Sequence, residues 1–408
     1  MSLPVASLVA LAGAGLALAL EMSGAPPGGK KRVARWPQAV LVAVVGALIA
    51  LLALVGAGGG GGGVSVGGAV VVAVALVAFA ASEGAGLVGE RAALALLLAA
   101  GTLAAAAAPS PVGSLAYLAL FAAVNAGLAM GAEAGSEAAA KSALLGLMGV
   151  VLAGVGLFDP STALAGTVAV LWTLGLTPLQ GMRVDSAQGA PPSAVGLTTP
   201  LALVALVPGL ASLRGLAGLD VLLGLALFGL PLVALAQTSL RRLVAVGVVS
   251  QSTLPLVALR AGVDVADAVV AGGIGAVALA VSVQALPPLV APRATWEDAS
   301  GLGRRAPWRA GLFVLAGAIA CGLPPTLGFL ARETLAARLV ADAPWLAAGL
   351  FVNAGLQALP VVRLALFLFA KEPRPSTSTP TPWGAVAAVV VVVAVAGVYA
   401  LVPWLKHL

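Results

Sequence analysis

DASGLGRRAPWRAGLFVLAGAIACGLPPTLGFLAR, residues 298 to 332, is the stretch whose reading decides the fold. It opens polar and basic, with Arg304, Arg305 and Arg309 around Trp308, and then runs apolar from Ala310 to Ala331. Cations and an aromatic ring ahead of an apolar run mark a membrane helix where it leaves the headgroup layer. Inside the run stands GLPPTLGF, Gly322 to Phe329. Proline lacks an amide donor and crowds the turn before it, so Pro324 and Pro325 are expected to kink or unwind this helix in its interior. A second interruption is TLGLTPLQGMRVDSAQGAPPSAVGLTTP, 173 to 200. There an apolar run meets Pro178 and becomes a polar turn through Arg183 and Asp185, closed by Gly189, Ala190, Pro191 and Pro192.

Composition sets the class around these two stretches. The 408 residues are 61% hydrophobic and 9% charged, with a mean hydropathy of +1.10; soluble chains carry about 25% charged residues. Apolar runs long enough to cross a bilayer recur from end to end, continuous rather than alternating, so the chain is an all-α polytopic membrane protein rather than a barrel. One cysteine, Cys321, and one histidine, His407, exclude a disulfide framework and argue against any cysteine or histidine metal site or paired-histidine haem. No Walker loop or Ser-His-Asp set is present, so neither a catalytic residue nor a cofactor is expected. The basic residues stand scattered between apolar runs, which points to orientation in a lipid bilayer and not to nucleic acid.

About fourteen spans can be drawn: 3–21, 37–57, 64–82, 92–108, 114–132, 138–157, 162–180, 194–213, 218–237, 242–260, 265–286, 310–331, 343–366 and 384–405. With both termini outside, sixteen of the 21 lysines and arginines fall on or near the inner face. The interrupted spans are the seventh and the twelfth, each the fourth member of a five-span set. Corresponding breaks in two halves are the mark of inverted repeats with a pathway near the breaks. The expected division is 1–90 for the first three spans, 91–215 for one repeat (spans 4–8), 216–370 for the other (spans 9–13), and 371–408 for the last span.

Three stretches also carry a family resemblance. Pro178, Asp185, Gly189 and Pro191 keep the spacing of a broken helix and the turn after it; QTSLRRLVAVGVVSQ, 237 to 251, matches a run into the tenth helix; and Gly322-Leu323-Pro324-Pro325, Gly328-Phe329, then a basic residue three positions on, is the most specific. In these the chain resembles the antiporter-like subunits of respiratory complex I, most closely subunit N of NADH:quinone oxidoreductase. The resemblance implies a non-catalytic membrane-arm subunit of a proton-translocating enzyme in a bacterial-type cytoplasmic membrane, with other membrane-arm subunits as partners. It also implies a proton route through a glutamate in helix five and lysines in helices six, seven, eight and twelve, where burial and neighbouring charges tune proton affinity.

Residue by residue the chain departs from that route. Lys141 matches the helix-six lysine, and Arg332 stands where the helix-twelve lysine is expected. Between Arg91 and Glu133 there is no carboxylate or base; the helix-seven position falls near Thr173 and the helix-eight position near Leu203. Gln251 and Gln180 replace two histidines. Arginine holds a fixed charge and does not readily release a proton. The candidate path is therefore Lys141, Arg332, Thr173, Gln180 and Gln251, with helix breaks at Pro178, Pro324 and Pro325 and a coupling turn at Arg183 and Asp185. Two readings of Lys141 stand: an internal group, or an interfacial lysine paired one turn back with Glu137. Arg241 and Arg242 read as inner-face anchors. Three functions remain open: a contributor to redox-coupled proton translocation with a degenerate channel, a non-pumping scaffold of the same complex, or a subunit of a multi-subunit cation/proton antiporter or membrane-bound hydrogenase.

Overall fold

The structure, a computed structural model, describes residues 3–23, 36–57, 63–84, 87–108, 110–130, 135–158, 163–176, 179–207, 218–286, 289–291, 294–370 and 383–405. Within them the chain is helical. In order come α1 (Leu3–Ser23), α2 (Trp36–Ala57), α3 (Gly63–Glu83), α4 (Gly89–Ala107), α5 (Pro111–Ala129), α6 (Gly135–Phe158), α7 (Ala163–Leu174), α8 (Gln180–Gly189) and α9 (Pro192–Leu206). Then follow α10 (Leu219–Gly224) and α11 (Leu230–Leu235), joined through a π turn at Leu225–Gly229. The order continues with α12 (Leu240–Ser250), α13 (Thr253–Arg260), α14 (Ala266–Ser282), α15 (Leu302–Arg305), α16 (Pro307–Cys321), α17 (Leu327–Leu339), α18 (Pro344–Leu368) and α19 (Trp383–Leu405).

Nine helices among the described residues are long and apolar enough to cross a membrane, and five shorter apolar helices stand at the other expected spans. Only helices or closed barrels satisfy every backbone group inside a bilayer, which is why sequence this apolar folds this way. At the centre α9 and α14 pack on each other, α9 buried at every residue and α14 at every residue but Asp267, with α3 packed against both and α19 closing the far side. Glycine permits these close approaches. A Cβ at Gly67 would stand 2.8 Å from Val270, one at Gly68 2.9 Å from Val204, and one at Gly273 2.6 Å from Val71. At the outer edge α1 lies on α4 and α2, while α5, α6 and α7 form a second layer.

A carboxylate ties three helices together at one end of this core. Glu83, the last residue of α3, accepts a hydrogen bond from Arg91 Nη1 of α4 at 2.8 Å. Its other oxygen accepts from the hydroxyl of Ser193 at the start of α9. Both members of the ion pair are largely buried, so removing the negative charge strands a cation in a low-dielectric setting. Glu83→Gln is expected to lower stability by about 2–3 kcal/mol, read as an earlier thermal unfolding transition of the detergent-purified protein. A transition unchanged from wild type would remove this junction from the account of the core.

One sequence expectation shifts here. The polar turn expected after the seventh span is a helix, α8, because one face of QGMRVDSAQG is buried: Arg183, Val184, Ser186 and Ala187. The turn proper is confined to Ala190 and Pro191, ahead of α9. Asp264 sits at the mouth of the eleventh span, where its carboxylate accepts from the Ala266 amide at 3.0 Å.

Candidate functional site

Both interrupted spans end their first half in the same way. In α7 the helix stops at Leu174, Gly175 takes φ +73°, the Gly175 amide donates to Trp172 O and the Leu176 amide to Leu171 O. In α16 it stops at Cys321, Gly322 takes φ +66°, the Gly322 amide donates to Ile319 O and the Leu323 amide to Ala318 O. This paired hydrogen-bond pattern closed by a left-handed glycine is the Schellman motif, which caps carbonyls that would otherwise be bare in the membrane interior. The glycine ends each helix. Pro324 and Pro325 come two and three residues later and keep it from restarting before Leu327. Pro178 lies outside the described residues.

A buried arginine covers each of these glycines. Arg183 of α8 folds back on Gly175 so closely that a Cβ there would stand 2.8 Å from Arg183 Cβ and Cγ. Its Nη2 donates to Thr199 Oγ1 of α9 at 2.9 Å, and its guanidinium carbon lies 5.1 Å from the centre of the Phe121 ring of α5. Arg332 of α17 folds back on Gly322, where a Cβ would fall 1.8 Å from Nη1. That same Nη1 donates to Gly328 O at 3.1 Å. Arg183 is 2% exposed and Arg332 1%. The Nε atoms of both are buried with no hydrogen-bond partner among the described residues.

Between the two breaks runs a line of packed polar residues. Ser252, between α12 and α13, donates to Leu174 O at 3.2 Å, at the end of α7. Next to it Gln251 is buried against α14: Cβ atoms at Gly272 and Gly275 would stand 2.7 Å from its carbonyl oxygen and 2.8 Å from its Oε1. The same Cβ at Gly275 would lie 3.3 Å from Ala320 Cα, two residues before Gly322. Gln251 Nε2 donates to Gly247 O at 3.1 Å. Beside it is a cavity of about 40 Å³ lined by Gly247, Cys321 and Gln357 among apolar groups, room for one or a few waters.

The other expected site residues fall around this line. Thr173 is buried in α7, its hydroxyl turned back to Ala169 O at 2.9 Å. Leu203, at the expected helix-eight position, is fully buried in α9. Gln180 opens α8, half-buried, with Oε1 unpartnered among the described residues. Asp185 does not join Arg183 but faces the other way, to Arg242 Nη2 at 3.1 Å. Lys141 stands apart on α6, 35% exposed at its side chain and paired with Glu137 at 2.7 Å, the geometry of the interfacial reading. Arg241, taken from the sequence as a surface anchor, is 5% exposed and donates to Val290 O at 3.1 Å, to Gln188 O at 2.9 Å and to Ala190 O. Among the described residues the buried charges are Arg183, Arg241 and Arg332, with no buried carboxylate or lysine beside them.

Residues 214–357, which contain the α16–α17 break as far as Arg332 and beyond, match the family model for the NADH:quinone oxidoreductase/Mrp antiporter transmembrane region. Over those residues the chain is similar to this antiporter-like family. The whole chain shares its fold with several solved structures. A chain of respiratory complex I from Thermus thermophilus is 23% identical, with a TM-score of 0.79 over 98% of each chain. A chain of the Mrp complex from Dietzia sp. DQ12-45-1b is 17% identical, with a TM-score of 0.83 over 99% of this chain and 95% of that one. A chain of the membrane-bound sulfane sulfur reductase, an archaeal respiratory membrane complex, is 18% identical, with a TM-score of 0.77 over 98% and 95%. No curated protein matches the sequence significantly.

Proposed function

We propose that this antiporter-like chain is the subunit N-type member of a complex-I-like NADH:quinone oxidoreductase, in a bacterial-type cytoplasmic membrane with both termini outside. In this reading it contributes to redox-coupled proton translocation through a degenerate channel, alongside other membrane-arm subunits. The two inverted repeats are 91–215 and 216–370. The observation that carries the reading is the pair of buried arginines that cover the two helix breaks, with Gln251 buried between α12 and α14 on the line from one break to the other. Arginine keeps its proton, so the interior supplies positive potential and polar contacts and no proton carrier of its own. The chain holds no catalytic residue, and oxidation and reduction belong to other subunits.

Two measurements test this. A tagged chain solubilised from its native membrane is expected to bring down quinone-oxidoreductase subunits; antiporter or hydrogenase subunits in their place overturn it. In the assembled complex, Lys141→Ala is expected to leave the protons moved per electron unchanged, because a partly exposed i,i+4 pair contributes little. Arg332→Met is expected to lower that ratio. An unchanged ratio in an assembled Arg332→Met complex leaves only the scaffold role. The antiporter assembly is kept as the second reading because the Mrp chain matches the fold with a TM-score of 0.83.

A further inference from the structure

We propose that the π turn of the ninth span is a pivot, latched by Asn353 and tied through Gln357 to the break at Gly322. The span consists of α10, the π turn at Leu225–Gly229 and α11. Its sequence supplies the cause of the turn. Pro231, in the first turn of α11, has no amide to donate to the carbonyl four residues back, and its ring crowds that carbonyl. The carbonyl is Leu227 O, inside the π turn. A π turn takes up one residue more than a regular helical turn and is a recurrent site of functional distortion. A carbonyl left bare in an apolar interior needs a donor from elsewhere. Asn353 of α18 is that donor: its Nδ2 reaches Leu227 O at 2.6 Å, from 126 residues along the chain. Both residues are buried, so solvent does not replace the bond. The approach of α18 is close here, since a Cβ at Gly349, one turn before Asn353, would stand 3.3 Å from Leu227 Cδ1 and from Phe228 Cζ.

The latch is itself held. Gln357, one turn further along α18, donates from Nε2 to Asn353 Oδ1 at 2.7 Å, which keeps the Asn353 amide turned with its Nδ2 toward Leu227. Cys321 Sγ in turn donates to Gln357 O at 3.2 Å, and Cys321 is the last residue of α16, next to Gly322. A continuous set of contacts therefore leads from the break in the twelfth span to the π turn in the ninth. Room for movement lies at the π-turn end. The cavity of about 40 Å³ is walled by Ala234 of α11 together with Gly247, Cys321 and Gln357. A fully packed wall would hold α11 in place, whereas this void lets the half-helix shift once Leu227 O is released.

The test is amide hydrogen–deuterium exchange of the detergent-purified full chain, read by mass spectrometry on peptides covering α10, the π turn and α11. Asn353→Leu keeps the bulk and removes the donor. It should speed exchange in these peptides roughly tenfold, while peptides from α14 exchange as in wild type. Pro231→Ala returns the missing amide, so adding it to Asn353→Leu should restore wild-type exchange. Rescue from position 231 singles out the bare carbonyl, because an asparagine that merely fills space gains nothing from it. Pro231→Ala alone should slow exchange several-fold, and it carries the test should Asn353→Leu fail to elute as a folded peak. Cys321→Ala should speed exchange of the same peptides about two- to threefold, and should add nothing in the Asn353→Leu background. Wild-type exchange in Asn353→Leu or in Pro231→Ala overturns the latch, as does a faster exchange that Pro231→Ala fails to reverse. Wild-type exchange in Cys321→Ala, or an effect that adds fully to that of Asn353→Leu, overturns the tie to Gly322.

Discussion

Gly322→Ala is expected to abolish the folded twelfth span. The residue holds φ +66°, a conformation that costs a non-glycine residue about 1–2 kcal/mol. The added methyl would also fall 1.8 Å from Arg332 Nη1 and 2.9 Å from the Gly328 backbone carbon. The guanidinium cannot retreat cheaply, since it is fully buried and bonded to Gly328 O. Overpacking of this kind costs about 1–3 kcal/mol more. The sum, about 2–5 kcal/mol, is a large fraction of the stability of an ordinary domain. Fluorescence-detected size exclusion should show little monodisperse protein, with a thermal transition well below wild type. Gly311→Ala, in the same helix with open space around it, should be neutral. A Gly322→Ala protein as stable as the Gly311→Ala control would contradict the packing of Arg332 on the break.

Arg241→Ala is expected to have the next largest effect, for a different reason. Arg241 belongs to α12 in the second half of the chain, yet two of its three acceptors belong to the first half, Gln188 O at the end of α8 and Ala190 O in the turn that follows. The third, Val290 O, lies in the connection after α14. Hydrogen bonds to a charged donor contribute about 1.5–3 kcal/mol each, and buried acceptors left bare cost about 1–3 kcal/mol. With relaxation, a loss of about 3–5 kcal/mol is expected. Arg241→Lys should recover part of it, because an ammonium keeps the charge but lacks the planar fork that reaches carbonyls on separate segments. Thermal unfolding in detergent reads the order wild type, Lys, Ala. A lysine variant equal to alanine would mean that the fork has no role and the contact is charge alone. Proteolysis adds a second view: cleavage near Gln188 should accelerate in Arg241→Ala before the rest of the chain is attacked.

The membrane class, the span positions and the two interrupted helices were legible because they rest on runs of apolar residues and on prolines, both local features. The cause of the interruptions was less so. Attention to proline placed the breaks at Pro178 and Pro324, whereas the helices end at Gly175 and Gly322; Gly-Leu-x-Pro at 175–178 and again at 322–325 was the available signal. Polarity misled in α8. QGMRVDSAQG reads as a turn by composition, but its buried residues recur on one side of a helix, and Arg183 is among them. The Arg241-Arg242 pair shows the same limit. Adjacent helix positions point about 100° apart, so one guanidinium goes inward to carbonyls while the other goes outward to Asp185. Which one turns in depends on carbonyls more than 50 residues away in the chain, and no local pattern records that.

The covered glycines have a mechanical consequence. A broken helix bends easily only if the inside of the joint is empty, since swinging one half against the other needs free volume there. At Gly175 that volume is filled by the aliphatic stem of Arg183 and at Gly322 by the guanidinium of Arg332, each anchored on the helix beyond the break. Each joint is thus wedged. A swing must first eject a cation from its seat, and neither half-helix can move as a hinge while its arginine stays in place. The two bends behave as welded elbows, transmitting a push along the polar line from one half of the molecule to the other instead of absorbing it.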